Sequence, residues 1–307
     1  MTLGQLRTFL EVARAGSIRG AAASLVVTEP SVSAAVSSLG RELQVELLSR
    51  DGRGIRLSAA GEELAVYAAQ ILGLVDRAGR AVKEAAGGSG QVRVFSVMTA
   101  GEYVLPPILA AFKKQRPDVQ ISLEVGNRAV ALERLTNDEA DLAVGGRPPS
   151  GGDIEGMEFL PNELIVVGQR NHPFEEKKSV DAAALSRETW LLREPGSGTR
   201  ETAEEYFTQA GIAPATTMTV GSNGAIKQAA VVGLGITLIS SHAVAQELSD
   251  GRLTRLKARG TPLRRSWYAL RRKGGALPRS AQDFLGFLST AEATEAVKEA
   301  GKTTQGG

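Results

Sequence analysis

The sequence predicts a small helical unit, one long amphipathic helix and a two-lobed α/β domain, in that order along the chain. Three observations predict it. Apolar residues recur at three- and four-residue spacing through the first forty positions and again from Leu64 to Ala81. The run Gly87-Gly88-Ser89-Gly90 then has the composition of a flexible linker. Beyond it, short β-rich runs alternate with helical stretches, which marks an α/β domain with largely parallel sheets.

A chain of 307 residues leaves room for two or three folding units. Its 42% hydrophobic and 23% charged content suits several soluble cores, so disorder of the whole is excluded. The net charge of +2 does not by itself mark a nucleic-acid binder, so the local distribution of charge decides. No cysteine is present, which excludes disulfides, thiolate metal sites and cysteine nucleophiles. His172 and His242 stand far apart, and neither a metal site nor a cofactor is expected. The segment Met1 to Leu10 lacks a basic patch followed by a long apolar run, and no apolar stretch is long enough to span a bilayer. A cytoplasmic protein with no membrane partner is the expectation.

Leu3, Leu6, Phe9, Leu10 and Ala13 share one face of a first helix, which Gly16 ends. Ser17 is a suitable N-cap for a short second helix, Ile18 to Leu25, whose alanines permit close packing. Thr28 can cap a third, in whose first turn Pro30 is tolerated because that N–H is unbonded anyway. Val32, Val36 and Leu39 face inward from it, and Ser31, Ser33, Ala34 and Ser37 point outward. This pattern fits a helix-turn-helix, in which the later helix enters the major groove, and equally a plain three-helix bundle. Residues 49 to 57, Ser-Arg-Asp-Gly-Arg-Gly-Ile-Arg-Leu, read as a hairpin carrying Arg50, Arg53 and Arg56. Beside a groove-reading helix the three arginines serve as phosphate clamps; otherwise they are solvated surface.

In order along the chain, Leu6-Arg7-Thr8-Phe9, Gly16-Ser17, Ala21-Ala22, Pro30-Ser31-Val32-Ser33, Leu39, Leu47 and Leu57-Ser58-Ala59-Ala60-Gly61 resemble the N-terminal signature of LysR-type transcriptional regulators. The resemblance implies a winged helix-turn-helix over 1–58 that binds double-stranded DNA. It implies base contacts from Glu29, Pro30, Ser33 and Ala34, at the start of the recognition helix. Ser17, Thr28, Ser31 and Ser37, with Arg50, Arg53 and Arg56, complete the expected DNA-binding set. Family members often carry Gln and Arg where this chain has Glu29 and Ala34. Glu29 can accept from a cytosine amino group and Ala34 can touch a thymine methyl, so base preference does not transfer from relatives.

Ser58 can cap a long helix to about Ala86, with Leu64, Tyr67, Ile71, Leu74, Ala78 and Ala81 as an a/d seam. On periodicity alone this is either a dimerising seam or a helix packed on its own domain. The resemblance implies pairing, with 59–90 as dimerising linker helix and hinge, as a homodimer or homotetramer.

The rest of the chain repeats one plan. Val92 to Val97, Val119 to Val125 and Asp141 to Val144 read as strands, with helices at Tyr103 to Lys114 and Ala129 to Thr136. A second block has strands at Trp190 to Leu192, Met218 to Val220 and Ile236 to Ile239, with helices at Thr199 to Ala210 and Ala225 to Val232. Crossings between the blocks are expected near Leu164 to Val167 and Trp267 to Leu270. A helix from Ala281 to Leu288 returns to the first half, and the tail frays from about Ala296. This resembles the family's periplasmic-binding-protein-like (type 2) effector domain over 91–307. Lobe 1 is then about 91–165 and 268–300, and lobe 2 about 166–267.

Two such halves suggest a ligand cleft between them. Thr99, Ala100 and Gly101 open one helix, Ser197, Gly198 and Thr199 another, and Ser222 and Asn223 a third. Helix starts with Gly and Ser or Thr favour anions, although ordinary N-caps look the same in sequence. The resemblance implies that these segments line the effector cleft, and together they point to a small anionic metabolite. The segments at Thr99 and at Ser197 look most like those of relatives that regulate carbon fixation or sulfur assimilation. The resemblance also admits RNA polymerase as a further partner.

An enzyme is the competing class. Pro195 stands where a G-x-S-x-G nucleophile elbow needs Gly, and Gly221 to Lys227 lacks the spacing of a phosphate-binding loop. A solute-binding transport protein would share the two-lobed architecture but not the N-terminal module. No catalytic residue is expected.

Overall fold

A computed structural model describes residues 1–51 and 54–302; Arg53 and the side chain of Arg50, both expected phosphate clamps, lie outside the described residues. The chain forms two compact units, Met1–Ala86 with the short segment Thr136–Glu139, and Gly87–Leu135 with Ala140 onward.

In the first unit, helix α1 (Leu3–Ala15) opens with a capping box in which Thr2 and Gln5 satisfy each other's backbone N–H groups. Gly16, at φ 62°, closes it. Helix α2 (Ile18–Leu25) is capped by the Ser17 hydroxyl, which accepts from the Gly20 N–H at 3.0 Å. Helix α3 (Glu29–Leu43) is capped by Thr28, which accepts from the Ser31 N–H at 3.4 Å. Val32, Val36 and Leu39 of α3 are buried with Leu6, Phe9, Val12, Ala21 and Ala22, as their spacing requires. Strands β1 (Leu48–Asp51) and β2 (Gly54–Leu57) form the antiparallel wing, with Leu48 opposite Leu57 and Arg50 opposite Ile55. Helix α4 (Ala59–Ala85) follows, capped by Ser58 on the Gly61 N–H at 3.0 Å. A Cβ at Gly61 would lie 2.1 Å from the Leu47 carbonyl oxygen, so only glycine lets α4 approach the wing this closely.

The expected seam on α4 is divided. Leu64 and Ile71 turn inward and pack against the core of their own unit. Tyr67 and Leu74 are each 55% exposed and Val82 is 69% exposed, with Ala78 exposed between them. The helix is thus apolar on two stripes, one spent within the unit and one facing outward.

The second unit begins with strand β3 (Gln91–Val97), followed by helices α5 (Met98–Tyr103) and α6 (Leu105–Gln115). Strand β4 (Gln120–Gly126), helix α7 (Arg128–Thr136) and strand β5 (Leu142–Gly145) complete the first half, with β3 parallel to both β4 and β5. Strand β6 (Ile154–Gln169) is the long crossover. Helix α8 (Ala182–Ser186), strand β7 (Thr189–Leu192), helix α9 (Gly198–Ala210), strand β8 (Thr216–Thr219), helix α10 (Asn223–Val231) and strand β9 (Thr237–Ser240) form the second half. Helix α11 (Ser241–Ser249) and strand β10 (Leu253–Leu256) extend it. Strand β11 (Leu263–Arg272) then runs back antiparallel to β6, and helices α12 (Arg279–Leu288) and α13 (Ala291–Lys302) close the first half.

The strand order is β10-β6-β11-β5-β3-β4, with β9 also on β6, and β7 pairs in parallel with β8. β6 pairs with β11 through Ile154–Leu164 and with β9 and β10 through its C-terminal end. Pro161, Asn162 and Glu163 pair only with Ser266, Arg265 and Arg264. This two-stranded ribbon is the crossing, and it lies a few residues before both expected positions. Each half has its own core: Ile108, Phe112 and Phe284 in the first, Trp190, Phe207 and Ile236 in the second.

The tail differs from expectation. Instead of fraying from Ala296, α13 runs to Lys302, because Ala293 and Val297 are buried in the same core as Ile108 and Phe112. Among the described residues no single helix is long and apolar enough to cross a membrane.

Candidate functional site

In the second unit a cleft of about 450 Å³ opens where the parallel strands end. This is the usual place for ligands in open α/β sheets, because loops and helix N-termini converge there. One wall comes from the ends of β3, β4 and β5 through Thr99, Asn127, Arg128 and Arg147. The other comes from the end of β7 and the start of α9, through Arg193, Glu194, Ser197, Gly198 and Thr199. Glu158 and Asn162 of β6, with Ser266 and Tyr268 of β11, line the part contributed by the ribbon.

α9 is thirteen residues long, and its N-cap residue, Ser197, makes no capping hydrogen bond. Ser197 is only 8% exposed, and it lines the cleft. The first-turn N–H groups of a helix have no partner within the helix. Ser, Thr and Asp normally satisfy them, as Ser17, Thr28, Ser58, Asp181 and Ser222 do elsewhere in this chain. At α9 that role is left open. The left-handed turn that delivers the chain to α9 passes through Gly196 at φ 83°.

Arg193 is 2% exposed, yet it reaches the cleft wall. Its Nε and Nη2 donate to the two Glu194 oxygens at 2.8 and 2.9 Å, and its Nη1 donates to Asn223 Oδ1. Asn223, fully buried, donates onward to Thr99 Oγ1 at 3.3 Å and Glu102 Oε2 at 2.8 Å. One amide therefore ties the cation of the second half to α5 of the first. Burial pushes the Glu194 carboxyl up. The hydrogen bonds from Arg193 and its own backbone, with the guanidinium charge, outweigh that and hold it below the usual carboxylate range. Hydrogen bonds from Ser266 and Tyr268 hold the Glu158 carboxyl low as well.

The opposite wall carries Arg128 and Arg147, the latter close enough to Glu158 to help hold its carboxyl low. Arg128, at the first position of α7, donates from Nη2 to the Arg147 carbonyl at 2.6 Å. A cation at a helix N-terminus opposes the helix dipole, by about 0.3–1 kcal/mol at the surface.

The structure sorts the expected cleft residues. Thr99, Ser197, Gly198 and Thr199 line the cleft together. Ala100 and Gly101 lie buried behind it; a Cβ at Gly101 would lie 2.6 Å from the Val125 side chain, so this glycine serves the packing of α5 on β4. Ser222 uses its hydroxyl to cap α10, accepting from Ala225 N–H at 3.2 Å, and Asn223 stands behind the wall. Sequence reasoning missed Arg193, Arg128, Arg147 and the β6–β11 ribbon. Arg193 stands just before the turn that leads to Ser197, Gly198 and Thr199, so a cation next to an anion-favouring helix start was the signal that could have found it. The ribbon residues carry no local signal, since antiparallel pairing alone brings Glu158 to Ser266 and Tyr268.

In the first unit, Glu29, Pro30, Ser31, Ser33, Ala34 and Ser37 form the exposed face of α3. Ser17 and Thr28 act as caps, and the Thr28 and Ser31 hydroxyls lie 2.8 Å apart. Arg56 is exposed on β2.

Comparison with known proteins places these features. Residues 3–62 match the family described as bacterial regulatory helix-turn-helix protein, lysR family, and residues 85–293 match the LysR substrate binding domain. The chain is 37% identical to the HTH-type transcriptional activator CmpR of Synechocystis over 94% of each sequence. It is 36% identical to the RuBisCO operon transcriptional regulator of Acidithiobacillus ferrooxidans, over 95% of this chain and 94% of that one. Among solved structures, the Synechocystis CcmR regulatory domain in complex with 2-PG is 34% identical, with a TM-score of 0.61 over 65% of this chain and 95% of that one. Full-length CbnR complexed with its target DNA is 25% identical, with a TM-score of 0.67 over 98% of this chain and 100% of that one.

Proposed function

Because the chain belongs to the LysR family of bacterial transcriptional regulators, we propose that its promoter binding is set by a small anionic metabolite held in the cleft of the second unit. It is a DNA-binding regulator and not an enzyme. The observation that carries the ligand reading is the uncapped start of α9: Ser197 is buried against the cleft with its capping role unused, so an acid group can take the free N–H donors. The related CcmR domain binds 2-PG, and RuBisCO operon regulators are among the relatives. Both support a ligand of this class and target genes in carbon assimilation.

The exposed face of α3 supports it as the groove-reading helix, with Glu29, Pro30, Ser33 and Ala34 nearest the bases. Arg56 then meets phosphate, positioning the protein without reading sequence. The outward stripe of Tyr67, Leu74, Ala78 and Val82 on α4 supports pairing with a second copy, which matches two half-sites to two protomers. A cytoplasmic location follows for a protein whose target is the chromosome. The ligand acts by binding one pose of the two lobes better than another, since it can shift the equilibrium only by that difference.

The test is a fluorescence-anisotropy titration with the DNA upstream of its own gene, against scrambled DNA, with and without 2-PG. A native-sequence preference that 2-PG changes in the wild type, and leaves unchanged in the Ser197→Ala/Thr199→Ala double variant, is the expected result. A response that survives in the double variant removes the cleft assignment.

A further inference from the structure

Arg193 is the buried guanidinium of the cleft lining, and its bidentate edge is already in use. A guanidinium presents five N–H donors in a rigid plane, and its Nε–Nη2 edge matches a carboxylate or phosphate with two parallel bonds. On Arg193 this edge is taken by Glu194, at 2.8 and 2.9 Å. The Nη1 side is fixed by Asn223, itself fully buried and bonded to Thr99 and Glu102, so the guanidinium cannot swing to offer another edge. Its carbonyl also accepts from Arg200 Nη1 at 3.0 Å. Glu194 is the more exposed partner of this pair: its side chain is 35% exposed against 2% for that of Arg193, and it stands in the turn between β7 and α9.

The same turn delivers Ser197, Gly198 and Thr199 to the cleft, and the Ser197 N–H donates to the Glu194 carbonyl at 3.2 Å. An acid group seated at the start of α9 therefore arrives beside the Glu194 carboxylate. Two like charges in one turn, next to one buried cation, are not held together. The more exposed one, Glu194, is the one that water can take up.

We infer that Glu194 is a built-in competitor for the ligand: its carboxylate and the ligand's acid group take the same edge of Arg193, and binding of one requires release of the other. The inference rests on the cleft reading above and adds the residue that sets affinity within it. Glu194 thereby keeps weakly binding monoanions out, because only a ligand with enough further contacts offsets the loss of the internal ion pair. No atom is transferred; the exchange is of hydrogen-bond partners alone.

The experiment compares wild type, Glu194→Gln and Glu201→Gln as full-length chains, by calorimetric titration with 2-PG and by thermal protection in inorganic phosphate against chloride. Glu201 lines the same cleft on α9 and is exposed, so its substitution removes an equal charge without touching Arg193. The expected result is at least ten-fold tighter binding of 2-PG by Glu194→Gln, a gain well above that of Glu201→Gln, and new protection by phosphate. Equal or weaker binding by Glu194→Gln overturns the inference and makes Glu194 a fixed support of Arg193, while leaving the cleft reading intact. Gains of the same size in both variants also overturn it, as a plain charge effect. Failure of both anions to bind any of the three proteins overturns the inference and the cleft reading together. Should Glu194→Gln not fold, Glu194→Asp keeps the charge but shortens the reach, and its expected gain is smaller and of the same sign.

Discussion

Replacing Ser197 with Asp sets the stability of the second unit against its ligand binding. α9 lacks a side-chain cap, so a carboxylate at this position supplies the missing acceptor. Filling an empty N-cap is worth about 1 kcal/mol, and a negative charge at the positive end of the dipole adds about 0.3–1 kcal/mol. Repulsion from Glu194 in the same turn, with the weakening of its pair with Arg193, opposes part of this, which leaves a net gain of about 1 kcal/mol. For a unit of this size that gain raises the midpoint of thermal unfolding by about 2–4 °C. The new carboxylate also occupies the donors assigned to the ligand's acid group, so the variant loses its response to 2-PG while becoming more stable. Differential scanning calorimetry with and without 2-PG reads both effects. A Ser197→Asp protein that is less stable refutes the uncapped-helix argument; one that is more stable yet still protected by 2-PG refutes the placement of the anion.

Val26 is a β-branched residue at φ 55° and 90% exposed, so its left-handed conformation is not repaid by burial. Such a conformation costs about 1–2 kcal/mol, and glycine returns about 0.5–1 kcal/mol of that through its own entropy. Val26→Gly should therefore stabilise the first unit by about 0.5–1 kcal/mol in urea unfolding, and no gain would show that the turn is unstrained. Arg56→Ala should weaken binding alike on native and scrambled DNA and flatten the salt slope by about 0.9; a loss confined to the native sequence would make Arg56 a base reader. Burial lowers the pKa of His242 below its ordinary 6.5. Below that pH the unfolded chain takes up a proton that the folded unit refuses, so stability falls as pH drops from about 6.5 toward the folded value. His242→Gln should flatten this part of the curve, measured as midpoint against pH, and an unchanged slope assigns the dependence to other groups.

The first unit was legible in sequence because its determinants are local. Caps lie three residues from the N–H groups they satisfy, and Val32, Val36 and Leu39 meet the core by helical periodicity alone. The end of the chain was misjudged because α13 is mostly polar, and its few apolar residues, Ala293 and Val297 among them, meet a core only where the fold brings the helix beside α6. The seam on α4 could be seen but not divided, since periodicity gives the stripes and not the surface each one meets.

The sequence by itself determined the helices and caps of the first unit, the alternation of strands and helices in the second, the Gly-rich run at 87–90 and the absence of thiol chemistry, for these depend on near neighbours or on composition. Only the tertiary structure decided that Ser197 leaves α9 uncapped beside the cleft while Ser222 caps α10. It alone brought Arg193 to Asn223, thirty residues away, and Asn223 to Thr99, 124 residues away. The physical reason is that a buried cation and a buried amide must find hydrogen-bond partners, and which partners they find is settled by strand order and packing. Spacing in the chain carries no record of that choice.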